Sequence, residues 1–332
     1  MSPARSLFLA ALLSSTAFTA HAEVRAVASI KPVHSLVAAV MEGVGEPGLI
    51  VEGAGSPHTY ALKPSQAQML QDADIVFWVG HELEAFLEKP LETIGTKATA
   101  VELLDAHGLK KLGFREGGAF EKHEHEDGDD HDDHESEADH DHDDEETAEA
   151  EHDHEHEHGA FDTHVWLDPE NARAMVHEIE ETLVKADPEN AAKYEANAEA
   201  VSARLDALIK EVSADLEPVK DKPFIVFHDA YQYFENRFAV TAAGSITVSP
   251  EVMPGAERVG EIRAKVQELD AACVFSEPQF EPKLVTTVTE GTQARAGVLD
   301  PLGAELDNGP SLYFELIRNM AASIKSCLSQ AS

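Results

Sequence analysis

Cysteine is nearly absent from these 332 residues, with only Cys273 and Cys327 present. Two are too few for a disulfide-dense scaffold or a thiolate zinc cluster, and in an oxidising compartment an isolated pair reads as one structural disulfide. If the two join, the closed loop is long and the chain-entropy model assigns it roughly 4 kcal/mol. Basic residues are scarce, 25 Lys and Arg against 63 Asp and Glu, for a formal net charge of -38. Nucleic acid and anionic membrane surfaces would both repel such a chain. Past the first two dozen residues no apolar run approaches the roughly 20 needed to span a bilayer. The one His-Glu-x-x-His spacing, His154 to His158, falls in an acidic segment without the apolar residues of a packed helix, and no Gly-x-Ser-x-Gly elbow occurs, which argues against a zinc or serine hydrolase and against an enzyme generally. No Gly- or Ser-rich flexible linker occurs either.

Residues 1–22 have the pattern of a secretory signal peptide: Arg5 gives a positive start, Leu7 to Ala17 a short apolar stretch, and Ala20-His21-Ala22 small residues around a cleavage point. The apolar stretch is too short for a membrane anchor, and no cysteine near the cleavage point suggests a lipid anchor. A free, monomeric protein of the bacterial periplasm is expected.

The charge is local. Between Glu121 and His158 lie 21 acidic residues, one Lys and 10 of the 18 His; without them the chain has 42 acidic against 24 basic residues. Residues 117–159 are almost devoid of apolar side chains, so they are expected to form a disordered loop. Their histidines, His123, His125, His131, His134, His140, His142, His152, His154, His156 and His158, read as weak, exchangeable metal sites, against the alternative of a solvated acidic spacer.

Outside that loop, short β-branched runs alternate with segments of helical period, the pattern of parallel strands joined by crossover helices. Strands are predicted at Val24 to Ile30, Leu49 to Glu52, Ile75 to Val79 and Ala98 to Leu103, with helices from near Val33, Pro64 and Glu82. The second half repeats the pattern, with strands at Phe224 to Phe227, Ala239 to Thr241, Cys273 to Phe275 and Ala294 to Leu299. Its helices are predicted near Ala230, Ala256, Pro282 and Ser311. Pro169 to Lys185 and Glu189 to Glu217, rich in Ala, Glu, Lys and Leu, are predicted as long helices broken at Asp187-Pro188. The expected fold is α/β: two lobes, each a mainly parallel sheet flanked by helices, joined by a long rigid helix. The expected limits are 23–167 for the first lobe, 168–186 for the connector and 187–332 for the second.

Four polar residues fall just after predicted strands: His58, His164, His228 and Asp300. The strand before His164 would be very short. In parallel sheets the carboxyl ends of the strands line the ligand crevice, so these distant residues are expected to converge there. Three neutral imidazoles and one carboxylate form a closed four-coordinate set of the kind Zn²⁺ takes, whereas manganese sites usually carry more oxygen. Water competes with Asp300 for the fourth position. Asp229 and Asp168 are candidates to accept the second imidazole N–H, although Asp168 before Pro169 reads better as a helix cap.

These residues, with Lys31-Pro32-Val33, Val79-Gly80, Val248-Ser249-Pro250-Glu251 and Cys273 to Phe280, resemble the periplasmic zinc-binding receptors of the bacterial high-affinity zinc ABC uptake system, the ZnuA-like proteins among the cluster A-I metal receptors. The resemblance implies two α/β domains joined by a rigid helix, with Zn²⁺ in the cleft between them and a His-rich loop near its entrance. It also implies delivery to an inner-membrane permease driven by a cytoplasmic ATPase. The family's three histidines carry over onto His58, His164 and His228, and its paired cysteines onto Cys273 and Cys327. Some members place a glutamate just before the first histidine, where this chain has Pro57, so Asp300 or water must complete the shell. A zinc chaperone or sequestering protein, or a manganese or iron receptor of the same architecture, remains the alternative.

Overall fold

The computed structural model describes residues 24–115, 120, 161–247, 250, 254–269, 271–280 and 283–330. The predicted signal peptide, the ten loop histidines, most of the Val248 to Glu251 segment and Pro282 lie outside them.

Two four-stranded sheets, parallel throughout, organise the described residues. In the first, strands β1 (Ala26–Ala28), β2 (Gly48–Leu49), β3 (Ile75–Trp78) and β4 (Thr99–Glu102) lie in the order β2-β1-β3-β4. The connecting helices are α1 (Lys31–Val40), α2 (Pro64–Asp72) and α3 (Ala85–Thr93). Two long helices follow, α4 (Pro169–Ala186) and α5 (Ala191–Leu216), broken by a short turn at Asp187-Pro188 as the sequence predicts. The second sheet repeats the order as β6-β5-β7-β8, from β5 (Phe224–His228), β6 (Ala242–Thr247), β7 (Cys273–Ser276) and β8 (Arg295–Val298). Helices α6 (Gln232–Phe238), α7 (Ala256–Glu268), α8 (Lys283–Thr289) and α9 (Leu312–Ser329) accompany it.

The two-residue period of a strand explains how one sheet serves two cores. Phe224 and Val226 of β5 enter a core that also takes residues of α1, α4, α5 and α9, while Ile225 and Phe227 face the opposite way, onto α7 and α8. The larger core is continuous between the sheets, because α1 packs on α9 and α5 packs on both. Polar ties cross at the same place. Lys31 Nζ donates to the carbonyls of Ala304 and Leu306 (3.1 and 2.7 Å), and Ser35 Oγ donates to Gly309 O while accepting from Tyr313 N. Such packing resists wide opening of one sheet away from the other.

One predicted strand is displaced. Ala239 to Thr241 is not a strand, because the apolar spacing of Tyr233, Phe234 and Phe238 carries α6 through to Phe238. Ala239 then takes a left-handed conformation (φ 54°) that stops the helix, and β6 starts at Ala242. Cys273 and Cys327 are disulfide-bonded, with a Cα separation of 6.2 Å, and pin β7 to α9.

The turn after β3 is held by a buried carboxyl. Glu84 Oε2 accepts from the N–H groups of Val79 and Gly80 (2.8 and 3.0 Å), and burial pushes its pKa up to about 7. A carboxyl whose folded pKa lies above its unfolded value favours the folded state at low pH, and that stability is lost as pH rises from about 4.5 through 7. Glu84→Gln keeps an acceptor for the two amides and removes the charge. It is expected to exceed the wild type in urea-unfolding stability at pH 8 by up to about 3 kcal/mol, with the gain gone by pH 4.5. An equal gain at both pH values would contradict the buried-charge account.

Candidate metal centre

His228 is the last residue of β5, so the backbone of the second sheet fixes where its ring emerges. Parallel pairing sets Phe224 beside Cys273 and Ile225 beside Val274, and the same offset carries Glu277, the residue after β7, alongside His228. Glu277 Oε1 lies 2.7 Å from His228 Nδ1. From the first lobe, Phe161 bridges to Gly113, and Asp162 N donates to Leu112 O. This holds Asp162 so that its Oδ1 meets both the backbone N–H (3.0 Å) and Nδ1 (2.7 Å) of His164. His164 therefore sits in a turn ahead of a short 3-10 segment, Val165–Leu167, and not at a strand end. That turn is tied to the second lobe by Trp166 Nε1 donating to Pro301 O (2.8 Å) and Tyr313 O–H donating to Trp166 O (2.7 Å). His58 comes from the loop between β2 and α2.

The three rings meet. Their centroids are separated by 5.4 Å (His58 to His164), 5.8 Å (His58 to His228) and 5.1 Å (His164 to His228), and one donor atom from each lies within 4.8 Å of the others. His164 and His228 are buried. Ser56, Trp166, Glu277, Gln279, Phe280 and Pro301 help line a small cavity of about 10 Å³ around them, room for roughly one water molecule.

Proton placement sets which ring nitrogens are free to accept. Ionised carboxylates only accept, so Asp162 and Glu277 draw the ring proton of His164 and His228 onto Nδ1. Each Nε2 then presents a lone pair, and the two Nε2 atoms face each other at 3.3 Å. Two lone pairs at that distance need a proton or a cation between them. A tetrahedral ion with metal to nitrogen bonds of about 2.0 to 2.1 Å would space its nitrogens by roughly 3.4 Å, which matches.

Asp300 does not join the three rings within 4.8 Å. Its carboxylate is occupied elsewhere: Oδ1 accepts from Leu302 N, Gly303 N and Gln279 Nε2 (3.1, 2.9 and 3.1 Å), and Oδ2 accepts from Ala304 N (2.6 Å). The strand-end placement is as expected, but Asp followed by Pro folds back onto its own turn. Asp229 does not orient an imidazole. It is paired with Arg115, which also reaches Glu235 (2.8 Å). Asp168 caps α4, accepting from Glu170 N (2.9 Å), and takes Arg237 as a second partner. The orienting carboxylates are Asp162 and Glu277, which the sequence reading missed. Their sequence signal was weak: Asp162 is the acid two residues before His164, and Glu277 is the first charge beyond the apolar run of β7, but Asp229 beside His228 looked as good.

A second group of three donors, His81, Glu82 and Glu102, lies at the carboxyl ends of β3 and β4. Its side chains are a quarter to a third exposed and form ion-pair contacts of 3.3 and 3.6 Å at His81 Nδ1.

Electrostatics predicts how protons compete with metal. Burial, reinforced by the other two histidines, lowers the His58 pKa well below the ordinary value. Burial alone would lower His228 too, but the adjoining Glu277 carboxylate, with Asp162 and Asp229 behind it, overcomes this and raises it. A bound metal takes the deprotonated ring, so a raised pKa makes protons compete from above the usual histidine range near 6.5. Zinc affinity is expected to fall continuously as pH drops from 8 to 5, as read by competition with a chelating dye; a flat profile would contradict histidine ligation.

The comparisons with known proteins point the same way. Residues 26–327 match the family model for ZnuA, zinc-uptake complex component A, periplasmic. The chain belongs to the ZnuA family. Among curated relatives, the high-affinity zinc uptake system protein ZnuA of Brucella suis is 63% identical over 305 residues, covering 92% of this chain and 91% of the relative. The ZnuA of Paracoccus denitrificans is 45% identical, covering 97% and 98%. Among solved structures, the periplasmic zinc-binding protein TroA of Treponema pallidum superposes with a TM-score of 0.73 at 18% identity, over 92% of this chain and 99% of that one. A zinc-bound ZnuA with residues 138–173 deleted superposes at 0.70, with 21% identity over 92% and 98%. These two establish the fold. Among the described residues no helix is long and apolar enough to cross a membrane.

Proposed function

We propose that this chain captures Zn²⁺ between its two lobes in the periplasm and delivers it to an inner-membrane ABC permease driven by a cytoplasmic ATPase. The observation that carries the reading is the pair of imidazoles, one from each lobe, whose Nε2 lone pairs face each other at 3.3 Å because a carboxylate holds the far nitrogen of each. His58, His164 and His228 are the metal-holding residues, and lobes 23–167 and 187–332 with α4 (within 168–186) between them are the working parts. Water or Asp300 completes the shell, and the occupied carboxylate of Asp300 favours water. Zinc here is cargo, so the protein acts as a receptor and needs no catalytic base. The N-terminal 22 residues act as an export signal, and the loop histidines hold metal loosely.

Membership of the ZnuA family and a 63% identical relative named for zinc uptake support the transport role over a free-standing chaperone. The test is growth of a strain lacking this protein on chelator-limited medium. Wild-type protein is expected to restore growth and zinc accumulation, and the His228→Ala protein is not. Normal zinc accumulation without the protein would defeat the transport role.

A further inference from the structure

Three buried oxygen atoms on the wall of the histidine cavity have no hydrogen-bond partner: Ser56 Oγ, Glu277 Oε2 and Gln279 Oε1. Buried polar atoms are normally paired, and an unpaired acceptor is destabilising by about 1 to 3 kcal/mol. Three on one small wall are better explained by a ligand than by chance. A bare cation held by three imidazoles would not satisfy them at hydrogen-bond distance; a group that donates protons would.

The orientation of each acceptor is fixed by what its other end holds. Glu277 spends Oε1 on His228 Nδ1, and its Oε2, with the Tyr231 hydroxyl beside the carboxylate, keeps acceptor capacity to spare. Gln279 donates from Nε2 to Asp300 Oδ1 at 3.1 Å. Because a carboxylate cannot donate, the amide nitrogen must face Asp300 and the amide oxygen must face away from it. Asp300 is itself held by the backbone N–H groups of Leu302, Gly303 and Ala304, so it serves as an anchor for the amide.

We infer that Glu277 and Gln279 hold the water molecule that completes the tetrahedron of the bound zinc. This rests on the three-histidine reading above. A zinc-bound water has two protons to donate and is a stronger donor than bulk water, because the ion withdraws charge from its oxygen. Glu277 Oε2 and Gln279 Oε1 are the acceptors for them, and Ser56 Oγ is a third group within the same wall. Glu277 is thereby a positioning residue twice over, for the ring of His228 and for the fourth ligand. Asp300 acts on the shell only through Gln279. The charges also balance: Zn²⁺ is matched by two buried carboxylates, Asp162 from the first lobe and Glu277 from the second.

The experiment compares wild type, Glu277→Gln, Gln279→Ala, Asp300→Asn and His164→Ala, each with Zn²⁺ by chelator competition and with Co²⁺ by pulsed EPR in H₂O and D₂O. Melting curves of the metal-free proteins are run alongside. The wild type and Asp300→Asn are expected to show a solvent-exchangeable proton signal on cobalt, with Asp300→Asn losing less than about tenfold in zinc affinity. Gln279→Ala is expected to lose about 10- to 100-fold without a lower metal-free melting point, which a merely structural role would give; Glu277→Gln, which also breaks the buried pair with His228, is expected to lose as much zinc affinity. Absence of the exchangeable signal in the wild type, unchanged affinity in Glu277→Gln, or its disappearance in Asp300→Asn alone would overturn the inference. Full zinc affinity in His164→Ala would overturn the three-histidine reading with it, whereas loss in His164→Ala combined with any of those results overturns the water assignment only.

Discussion

Replacing His228 with alanine is expected to weaken zinc binding by at least about a hundredfold. Zinc sites with a full protein ligand set bind with roughly 10 to 16 kcal/mol, so one ligand in four is worth on the order of 3 kcal/mol, and each 1.4 kcal/mol is a factor of ten. The same substitution also strips the Glu277 carboxylate of its imidazole partner while leaving it buried. Breaking one side of a buried charged pair is strongly destabilising, so the metal-free His228→Ala protein should melt earlier than the wild type. His58 lies on a loop and not at the end of a central strand, and His58→Ala is expected to lose zinc to a similar degree with a smaller change in melting. Calorimetric titration checks both. Retention of zinc affinity within a few-fold in both variants would leave the three-ring centre without a function.

The second large effect concerns the disulfide. Cys273 lies on β7, four residues before Glu277, and Cys327 lies in the last helix, so the bond ties the strand that carries Glu277 to α9. With the cysteines 54 positions apart in sequence, the chain-entropy model predicts that the Cys273→Ser, Cys327→Ser protein is less stable by about 4 kcal/mol, within a usual range of 2 to 5. Urea unfolding of the metal-free proteins measures it. None of the three histidines lies on β7 or α9, so zinc affinity at low denaturant should change less than stability. A stability loss under about 1 kcal/mol, below the usual range, would show that the unfolded chain is already constrained in this region.

Much of this architecture was legible in the residues. Apolar runs such as Phe224 to Phe227 and Ile75 to Val79 are short, β-branched or aromatic and bounded by polar residues, and only a buried parallel strand accommodates that pattern. Pro169 marked where one long helix starts and Pro188 the turn before the next, because proline is favoured in a first turn. The limits of legibility have equally specific causes. Ala239 takes a left-handed conformation that alanine seldom adopts, so nothing in its identity announces the end of α6. His164 was found for a partly wrong reason. It does not end a strand; it sits in a turn held by Asp162 and by contacts to Pro301 and Tyr313 more than a hundred residues away.

The site divides the same way. Imidazoles are rare enough outside the acidic loop that three of them near sheet edges stood out. Carboxylates are abundant in this chain, so spacing alone could not separate Asp162 and Glu277, which orient rings, from Asp229, which pairs with Arg115. That distinction depends on the pairing of β5 with β7 and on where Arg115 lands. Asp300 illustrates the converse. Its position after β8 was read correctly, yet four hydrogen bonds from its own turn and from Gln279 decide what its oxygens do.

Anomalous diffraction at the zinc edge from crystals of the zinc-loaded protein tests the central claim most directly. The account predicts one strong peak between the lobes, about 2.0 to 2.1 Å from a single ring nitrogen of each of His58, His164 and His228. A principal peak elsewhere, for example against His81, Glu82 and Glu102, with the three rings contacting no ion, would contradict it.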